Sequence, residues 1–492
     1  MSDTPPPRRT APLEPGQHVA IIGAGPGGLT AAWLLTRAGA RVTVLEGGDQ
    51  VGGISRTARY KGYRFDIGGH RFFTKIAPVE EMWRRVLGDQ FISVPRLSRI
   101  YYDGKFFDYP LKAANALFGL GILRTVSIVV SYLKARIRPS PVEENFEQWV
   151  TNRFGRRLYE IFFKTYTEKV WGIPCTEIRA EWAAQRIQGL SLTKAILSAA
   201  QLTRRSTAIK TLINEFQYPR LGPGQMWEMT AAEVESRGGR VLLGHQVNVV
   251  EIENGRAVAV RAGTAQGEVR IEADHVISTT DVRALVRSLR PEAPAAIRQA
   301  GEGLRYRDFL TVALMIDQAN LFPDNWIYIH TPGVRVGRIQ NFNNWSKAMV
   351  QDPDRTTVLG LEYFCFEGDG LWTTPDAELL ALAERELRQL NLIGGARVFD
   401  GTVVRQRKAY PIYDGEYREH LDQVRTWIDP IENLHCVGRN GMHKYNNQDH
   451  SMLTAMMTVW NMQGASHDVW SVNTDYEYHE EIRLDGKPKQ AG

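Results

Sequence analysis

A glycine-rich segment near the amino terminus constrains the fold most strongly. The apolar run VAII over 19–22 is typical of a strand buried on both faces, and GAGPGG follows it, with glycine at all three positions of the G-x-G-x-x-G pattern. We expect a helix over 29–38, with its N-terminal amides directed at phosphate groups, and a second apolar strand over 41–45. Glu46 follows that strand, where a carboxylate can bind a ribose 2′-hydroxyl. The segment predicts a dinucleotide site with the contacts Gly23, Gly25, Pro26, Gly27, Gly28 and Glu46.

Two further glycine clusters indicate which dinucleotide binds. The sequence GGISRT occupies 52–57, and DIGGH occupies 66–70. An NAD dehydrogenase needs no further glycine loops here, whereas the ribityl and isoalloxazine groups of a flavin run past backbone that must come close. The sequence therefore predicts FAD, with the additional contacts Gly53, Ser55, Arg56, Gly69 and His70.

Length and composition exclude several other classes of protein. With 492 residues, 43% of them hydrophobic, the chain is expected to form more than one domain. The net charge of +5 is too small to indicate nucleic-acid binding. Three widely separated cysteines predict neither a disulfide framework nor a cysteine metal site, and they suit a reducing cytoplasm. His443 and His450 lack acidic or cysteine partners at ligand spacing, so no metal site is predicted.

The apolar segment 111–137 needs separate consideration as a membrane element. Arg124 lies in its middle, and its longest stretch without charge is too short to span a bilayer. We expect one or two buried helices, broken near 119–121. The alternative is a peripheral membrane contact through 111–138, to which Lys134 and its basic neighbours would contribute charge.

The order of the patterns predicts a discontinuous α/β flavoprotein with a Rossmann-like FAD-binding domain. The expected segments are FAD-binding 18–75, 218–300 and 400–470, a mainly helical insertion 76–217, a substrate-binding antiparallel sheet 301–399, and tails 1–17 and 471–492.

Two local patterns add detail to this organisation. Asp-Gly at 103–104, between aromatic runs, predicts a hairpin over 100–107. A helix predicted over 448–463 would direct its N-terminus at the pyrimidine edge of the flavin. Because a reduced flavin carries negative charge there, the helix dipole would stabilise the reduced form.

Several longer motifs carry a resemblance to a known family. They are NFEQW at 145–149, FKTYTEKVWGIP at 163–174, AEWAAQRI at 180–187, GRNG at 438–441 and NQDHS at 447–451. Together with the glycine loops they resemble the UDP-galactopyranose mutases, flavoproteins related to amine oxidases and protoporphyrinogen oxidases. The resemblance implies an isomerase of cell-envelope polysaccharide biosynthesis that interconverts pyranose and furanose forms of a nucleotide-sugar such as UDP-galactose. In that chemistry the N5 atom of reduced FAD attacks the anomeric carbon, and NAD(P)H is a candidate reductant.

The resemblance also implies roles for individual residues. It assigns catalysis to Arg186, Arg338, His70, Tyr328, Tyr410 and Tyr445, substrate binding to Tyr109, Trp171, Arg186, Tyr328, Arg338, Tyr410 and Tyr445, and further FAD contacts to Val247, Gly438, Arg439, Asn447, Gln448 and Ser451. Arginine suits a departing diphosphate because its planar fork binds phosphate bidentately and keeps its charge. The competing interpretation is that either arginine is a surface or ion-paired residue, and Arg335 competes with Arg338 for its role.

Other functions remain open beside the mutase. This chain has Leu111 where the mutases commonly place an aromatic residue that stacks on uracil, so the base contact is altered. The second hypothesis is an FAD-dependent oxidoreductase of the amine oxidase or protoporphyrinogen oxidase type, including a desaturase. The third is a flavin-bound scaffold without turnover. An oligomeric state is open in each case.

Overall fold

The computed structural model describes residues 10–109, 111, 113–180, 211–212, 215–473 and 481–482. The chain forms two compact units. The first unit comprises Met1–Phe91, Pro219–Phe309 and Arg405–Asp475, and the second comprises Ile92–Tyr218, Leu310–Val404 and Tyr476–Gly492. The domain boundaries expected from the sequence remain predictions.

The described chain contains many short strands and helices. The strands are β1 (His18–Ile22), β2 (Arg41–Leu45), β3 (Thr57–Tyr60), β4 (Tyr63–Asp66), β5 (Phe91–Pro95), β6 (Ser98–Tyr102), β7 (Lys105–Asp108), β8 (Thr211–Leu212), β9 (Glu215–Pro219), β10 (Arg240–Leu242), β11 (Gln246–Glu253), β12 (Arg256–Thr264), β13 (Gly267–Glu272), β14 (His275–Ser278), β15 (Leu289–Arg290), β16 (Tyr306–Ile316), β17 (Trp326–Ile329), β18 (Arg338–Asn341), β19 (Thr357–Cys365), β20 (Val398–Pro411), β21 (Leu434–Cys436) and β22 (Glu481–Ile482). The helices are α1 (Pro26–Arg37), α2 (Ala77–Leu87), α3 (Ala113–Leu120), α4 (Ile122–Ile137), α5 (Phe146–Phe154), α6 (Arg156–Leu158), α7 (Thr165–Trp171), α8 (Gly224–Ser236), α9 (Val282–Ser288), α10 (Ala295–Gly303), α11 (Asp376–Gln389), α12 (Tyr417–Ile428) and α13 (Gln448–Met462).

A parallel sheet with the order β10-β2-β1-β14-β21 organises the first unit. The central strand β1 sends alternate side chains into two different cores. Val19 and Ile21 pack in the cluster that contains Trp227, whereas Ala20 and Ile22 pack in a second cluster with β12 and β14 residues. Burial on both faces explains why this strand is continuously apolar, and it confirms the predicted strand.

Helix α1 follows the glycine loop as expected, but it begins three residues before the predicted start. Pro26 occupies its first turn and Gly25 precedes it as the N-cap. Proline at the first helical position has a fixed φ that suits the helix and lacks only an amide that would be unpaired there. Leu29 and Ala32 then pack against Met452 and Ala455 of α13 in the core of the first unit.

A seven-stranded sheet with the order β20-β16-β19-β18-β17-β6-β7 organises the second unit. Its strand β19 is buried at every position. Leu359 and Leu361 from that strand share a core with Leu379 and Leu387 of α11. The predicted β6–β7 hairpin is confirmed, with Asp103 and Gly104 both at positive φ in its turn.

The apolar segment after this hairpin forms α3 and α4, which meet at Gly121, with φ of +85°. The predicted break between two helices is confirmed. The expectation that these helices are buried is wrong for one face of α4, because six of its apolar side chains are exposed. Within the described ranges, no helix is both long enough and apolar enough to cross a membrane.

Candidate functional site

The predicted cofactor glycines come together at the edge of the parallel sheet in the first unit. Gly23 has φ of +97°, and a Cβ on Gly28 would lie 2.0 Å from the carbonyl oxygen of Gly23. A Cβ on Gly27 would lie 3.4 Å from the carbonyl oxygen of Ser451 and 3.6 Å from the Cα of Gly438. The positive φ of Gly23 and the space at Gly28 therefore require glycine in the tight turn and for close packing of α1. The distances at Gly27 are ordinary contacts, and they place the loop against the carboxyl-terminal segment, which is also predicted to bind FAD.

The second glycine cluster also lies at this loop. A Cβ on Gly53 would lie 3.3 Å from the Cα of Gly25, and Gly53 itself has φ of +55°. The buried Ser55 side chain follows. Gly69 and His70 follow β4, and Nδ1 of His70 lies 3.0 Å from the carbonyl oxygen of Gly68, to which an Nδ1–H would donate.

Glu46 is held at the end of β2 by two backbone amides. Its Oε2 accepts from the amide of Ala24 at 2.8 Å, and its Oε1 accepts from the amide of Gly48 at 2.9 Å. Each carboxylate oxygen keeps a further lone pair that suits a ribose hydroxyl. The backbone carbonyl of Glu46 also accepts from the amide of His245, which places predicted contact Val247 on the neighbouring segment.

Arg56 is a partly buried cation, and its hydrogen bonds to other described residues go to neutral acceptors. Its Nη1 donates to the carbonyl oxygen of Gly53 at 2.8 Å and to Oε1 of Gln406 at 2.9 Å. Burial lowers the pKa of Arg56, and the more distant charges of Glu46 and Asp49 act in the opposite direction. An anionic group at this position would stabilise the charged guanidinium.

We call the loop formed by Gly23, Gly25, Gly27, Gly28 and Gly53 the glycine cradle. Two orphaned polar atoms provide an independent test of whether FAD fits this cradle. Ser55 Oγ and Gln448 Oε1 are buried and have no hydrogen-bond partner within the part of the chain that the structure describes. Gln448 begins α13, directly after Asn447, and the amide of Ser451 donates to the carbonyl oxygen of Asn447 at 3.0 Å. Buried polar atoms normally have partners, and both atoms belong to residues predicted to contact FAD. The residues present therefore fit the cofactor.

A cation and two tyrosines form a second predicted group in the first unit. The rings of Tyr410 and Tyr445 are stacked, with centroids 5.4 Å apart. The guanidinium of Arg439 lies 5.5 Å from the first ring and 5.1 Å from the second. Nε and Nη1 of Arg439 donate to the backbone carbonyls of Asn446 and Ala409, which fixes the plane of the guanidinium. The structure thus brings three of the predicted site residues together.

The second unit contains the other predicted cation. Arg338 begins β18, where Tyr328 of β17 pairs with it on one side and Glu362 of β19 on the other. Glu362 is completely buried, and it accepts from Nε of Arg338 at 3.0 Å and from Nη2 at 2.5 Å. Gln340 Nε2 donates to the same carboxylate at 2.8 Å. Arg338 is therefore ion-paired, as the competing interpretation held, while its side chain stays 19% exposed.

Tyrosines surround this ion pair. The ring of Tyr328 lies 4.3 Å from that of Tyr109 and 5.6 Å from that of Tyr166. Burial raises the pKa of Tyr166, and the charge of Arg338 opposes that shift. We call Tyr109, Tyr166, Tyr328, Arg338 and Glu362 the arginine–tyrosine cluster. The two charged members of the cluster pair with each other, and the hydroxyl groups of its tyrosines can donate hydrogen bonds.

Other predicted residues have clear positions or lie outside the described structure. Arg186 lies outside the described residues. Trp171 is buried at the end of α7. The side chain of Arg335, the competitor of Arg338, is exposed.

Sequence reasoning missed several residues at the arginine–tyrosine cluster. Glu362 carries a signal, because a charged residue interrupts an otherwise apolar strand in TVLGLEYFC. His330 stacks on Tyr166 with centroids 4.7 Å apart, and burial lowers its pKa to about 3. Nζ of Lys169 donates to the carbonyls of Ile329 and Thr331, and burial lowers its pKa to about 8. Such backbone partners leave no pattern in a sequence.

His443 and His450 have partners that are not metal ligands. His443 is completely buried beside Tyr306, and burial lowers its pKa to about 4. Nδ1 of His450 accepts from the backbone amide of Asn447 at 3.3 Å. Among the residues that the structure describes, no group of three His, Cys, Asp or Glu side chains is arranged to hold a metal ion.

Comparison with curated proteins finds short, strong matches and longer, weaker ones. The L-amino acid oxidase Cdc18 of Crotalus durissus cumanensis is 46% identical over 69 residues, 14% of this chain and 14% of that protein. The 4,4′-diapophytoene desaturase of a Methylomonas species is 22% identical over 346 residues, 61% of this chain and 60% of that protein. This chain thus spans less than two thirds of the length of each.

Solved structures match over nearly the full chain at low identity. Reduced UDP-galactopyranose mutase has a TM-score of 0.79 at 20% identity, covering 94% of this chain and all of that one. A protoporphyrinogen oxidase-like protein from Exiguobacterium has a TM-score of 0.67 at 17% identity, covering 91% of this chain and 99% of that one. These likenesses confirm the predicted fold, an α/β flavoprotein fold with added helices and sheets.

A match to a family model shows which protein family this chain belongs to. The model described as flavin containing amine oxidoreductase matches residues 26–446, which include the end of the glycine loop, the arginine–tyrosine cluster and Arg439. The orphaned polar atoms and the glycine cradle fit the flavin dinucleotide that this family contains. This chain therefore belongs to the flavin-containing amine oxidoreductase family, with FAD as its cofactor.

Proposed function

We propose that this protein is a flavin-dependent mutase that interconverts the pyranose and furanose forms of a nucleotide-sugar such as UDP-galactose, without net oxidation or reduction. The observation that carries the proposal is the arginine–tyrosine cluster of the second unit. Glu362 fixes the guanidinium of Arg338 through Nε and Nη2. The rings of Tyr109 and Tyr166 lie beside that of Tyr328, the cross-strand neighbour of Arg338. A fixed cation beside phenol groups that can donate hydrogen bonds suits a diphosphate. A neutral apolar substrate would gain nothing from these charged and hydroxyl groups.

Four residues of the cluster have definite tasks in this proposal. Arg338 binds the diphosphate and stabilises the charge that develops on it as the bond to the sugar breaks. Glu362 orients the guanidinium. Tyr109 and Tyr328 donate neutral hydrogen bonds that strengthen as the phosphate oxygens gain charge. Reduced FAD, when bound, would supply the nucleophile for the anomeric carbon.

Residues of the first unit and the remaining arginine complete the assignment. Arg439, fixed by its two carbonyl partners and stacked by Tyr410 and Tyr445, is a further cation with tyrosine donors beside it. Arg186 keeps the role of second phosphate-binding arginine, which rests on the resemblance of AEWAAQRI alone. His70, beside the glycine pair, keeps its proposed place next to the flavin.

An FAD-dependent oxidoreductase is the second candidate, and the sequence relatives favour it. The proteins that match this chain by sequence bear the names of oxidases and a desaturase. The ion pair between Arg338 and Glu362 also agrees with it, since a paired arginine attracts a phosphate less strongly than an isolated one. In that case an organic substrate would transfer electrons to the flavin.

One anaerobic experiment separates the two candidates. The purified flavoprotein is mixed with UDP-galactopyranose, once with oxidised FAD and once after reduction by dithionite or NAD(P)H, and the nucleotide-sugars are separated by chromatography. We expect the furanose form to appear only with reduced enzyme, while the flavin spectrum stays reduced throughout. Bleaching of oxidised flavin by an amine or another organic substrate, with no furanose formed, would establish the oxidoreductase instead.

A pair of neighbouring arginine variants tests the cluster. Arg338→Ala should lower kcat by about a hundredfold or more, because a preorganised donor to the departing charge is lost. Arg335→Ala is the matched control, since that side chain is exposed three residues away, and its kcat should stay within about twofold of wild type. Arg338→Lys keeps the charge and the partner of Glu362 but removes the fork, so partial activity with full flavin content would exclude misfolding as the cause. Equal activity in all three variants would contradict the proposal.

A further inference from the structure

One face of α4 is apolar and exposed over the whole length of the helix. Its members are Ile122, Leu123, Val126, Val130, Leu133 and Ile137, which we call the α4 stripe. Their exposed fractions range from 52% for Leu133 to 89% for Leu123. Isolated exposed apolar side chains are common, but six on one helix form a continuous patch, and such patches mark interaction sites.

Helical geometry shows that the stripe is a single face. At about 100° per residue, its six members fall within an arc of about 100°. The buried members of the helix, Ile128, Tyr132 and Ala135, lie on the opposite side and hold α4 to the second unit. The helix therefore has two apolar faces, one buried in the protein core and one exposed.

Positive charge borders the stripe on both sides. On the same projection, Lys134 lies about 20° beyond one edge of the stripe and Arg136 about 40° beyond the other. Arg138 directly follows the last residue of the helix, and all three side chains are exposed. From residue 109 to residue 142 the sequence contains five basic and no acidic residues. The surface thus combines an apolar strip about 22 Å long with a cationic border.

We propose that the α4 stripe docks this protein onto the surface of a bilayer that contains anionic lipids. A helix that lies in the membrane interface buries its apolar face at the headgroup boundary while lysine and arginine contact anionic headgroups. At 16 residues α4 is too short to cross a bilayer, but it is long enough to lie along one. The inference goes beyond the proposed function and does not depend on it.

The charge pattern favours a membrane over a second copy of this chain. Two copies packed through the stripe would bring their basic borders together, and like charges across an interface are unfavourable. Lysine is also depleted from the cores of protein interfaces. An anionic surface neutralises the same border and covers the same apolar side chains.

The test is vesicle flotation of the full-length flavoprotein. Vesicles of phosphatidylcholine alone are compared with vesicles that contain about 30% phosphatidylglycerol, a fraction chosen to give the strong negative surface potential of an anionic leaflet. We expect binding to the anionic vesicles, weakened by added salt, and little binding to neutral ones. The double variant Leu123→Ser/Val130→Ser should lower the partition coefficient by at least about tenfold. Lys134→Gln/Arg138→Gln should lower it by about fivefold for each charge removed.

A matched pair elsewhere on the surface controls for a general loss of apolar area. Leu243 and Val269 are 41% and 36% exposed in the first unit, so Leu243→Ser/Val269→Ser makes the same chemical change away from α4. This control should bind vesicles as wild type does, and flavin content should be equal in all variants. Absence of binding by the wild type overturns the proposal. So does a dimer in solution that Leu123→Ser/Val130→Ser converts to a monomer, because a second copy would then cover the stripe.

Discussion

The ion pair between Arg338 and Glu362 yields the sharpest prediction about stability. The substitution Glu362→Gln keeps the shape of the side chain but removes its charge and replaces one acceptor oxygen by a donor. Glu362 is completely buried and accepts from Nε and Nη2 of Arg338 and from Gln340. In the variant the guanidinium loses its charged partner, and a second amide donor faces the donors of Arg338 and Gln340.

The size of the effect follows from this geometry. Removing one partner of a buried ion pair typically costs about 3–5 kcal/mol. The Arg338 side chain is 19% exposed, so water compensates part of the loss, and we expect the lower end, about 3 kcal/mol. For domains of 150–250 residues this corresponds to a decrease in Tm of about 6–12 °C. Urea unfolding followed by tryptophan fluorescence measures the change in free energy, and calorimetry measures Tm.

An exposed ion pair of the same unit provides the comparison. Glu384 and Arg388 form an i,i+4 pair on α11, both more than a third exposed, so Glu384→Gln should change the free energy of unfolding by less than about 0.5 kcal/mol. If Glu362→Gln were as mild as Glu384→Gln, Glu362 would not be holding Arg338, and the positioning role that we give it would be wrong.

Two further predictions concern the first unit. Gly28→Ala should abolish flavin binding, because the added Cβ would lie 2.0 Å from the carbonyl oxygen of Gly23. The control Gly370→Ala has open space around it and should retain the full absorbance band of the flavin. A Gly28→Ala protein that still carries flavin would contradict the assignment of the glycine cradle as the FAD site. His443 is buried and its pKa is lowered to about 4, against about 6.5 in the unfolded chain, so the unfolded state binds the extra proton first as the pH falls. The free energy of unfolding should therefore decrease as the pH falls from about 6.5 to 4, by up to about 3 kcal/mol from this group. His443→Gln should show a shallower dependence of Tm on pH. If that dependence were the same as in the wild type, His443 would not titrate in this way.

Local chemistry allowed much of the first unit to be predicted from sequence. The strand, glycine loop, helix and second strand over 18–45 each depend on residues close to one another in the chain, and so does the Asp-Gly hairpin. These features need no knowledge of distant contacts. The start of α1 was misplaced only because Pro26 was assigned to the loop, whereas it occupies the first turn of the helix.

Contacts set by sheet register could not be predicted in the same way. Arg338 was singled out, yet its partner Glu362 lies 24 residues away and becomes a neighbour only because β18 and β19 pair in one register. Strand β20 spans 14 residues through the polar run RQRK, so its pattern does not alternate as a half-buried strand does. The sequence left burial and a surface contact as alternatives for α4, because an apolar pattern does not tell which apolar side the protein covers.

The glycine cradle also has a consequence for biosynthesis. Gly27 lies against Gly438 and Ser451, so segments separated by more than 400 residues must be present before the loop has its final surroundings. A ribosome must therefore have translated past Ser451 before FAD can be enclosed. Nascent chains that stall earlier would have an incomplete FAD site without bound flavin. Flavin binding would then be a late event, and the yellow colour would mark chains that extend past Ser451.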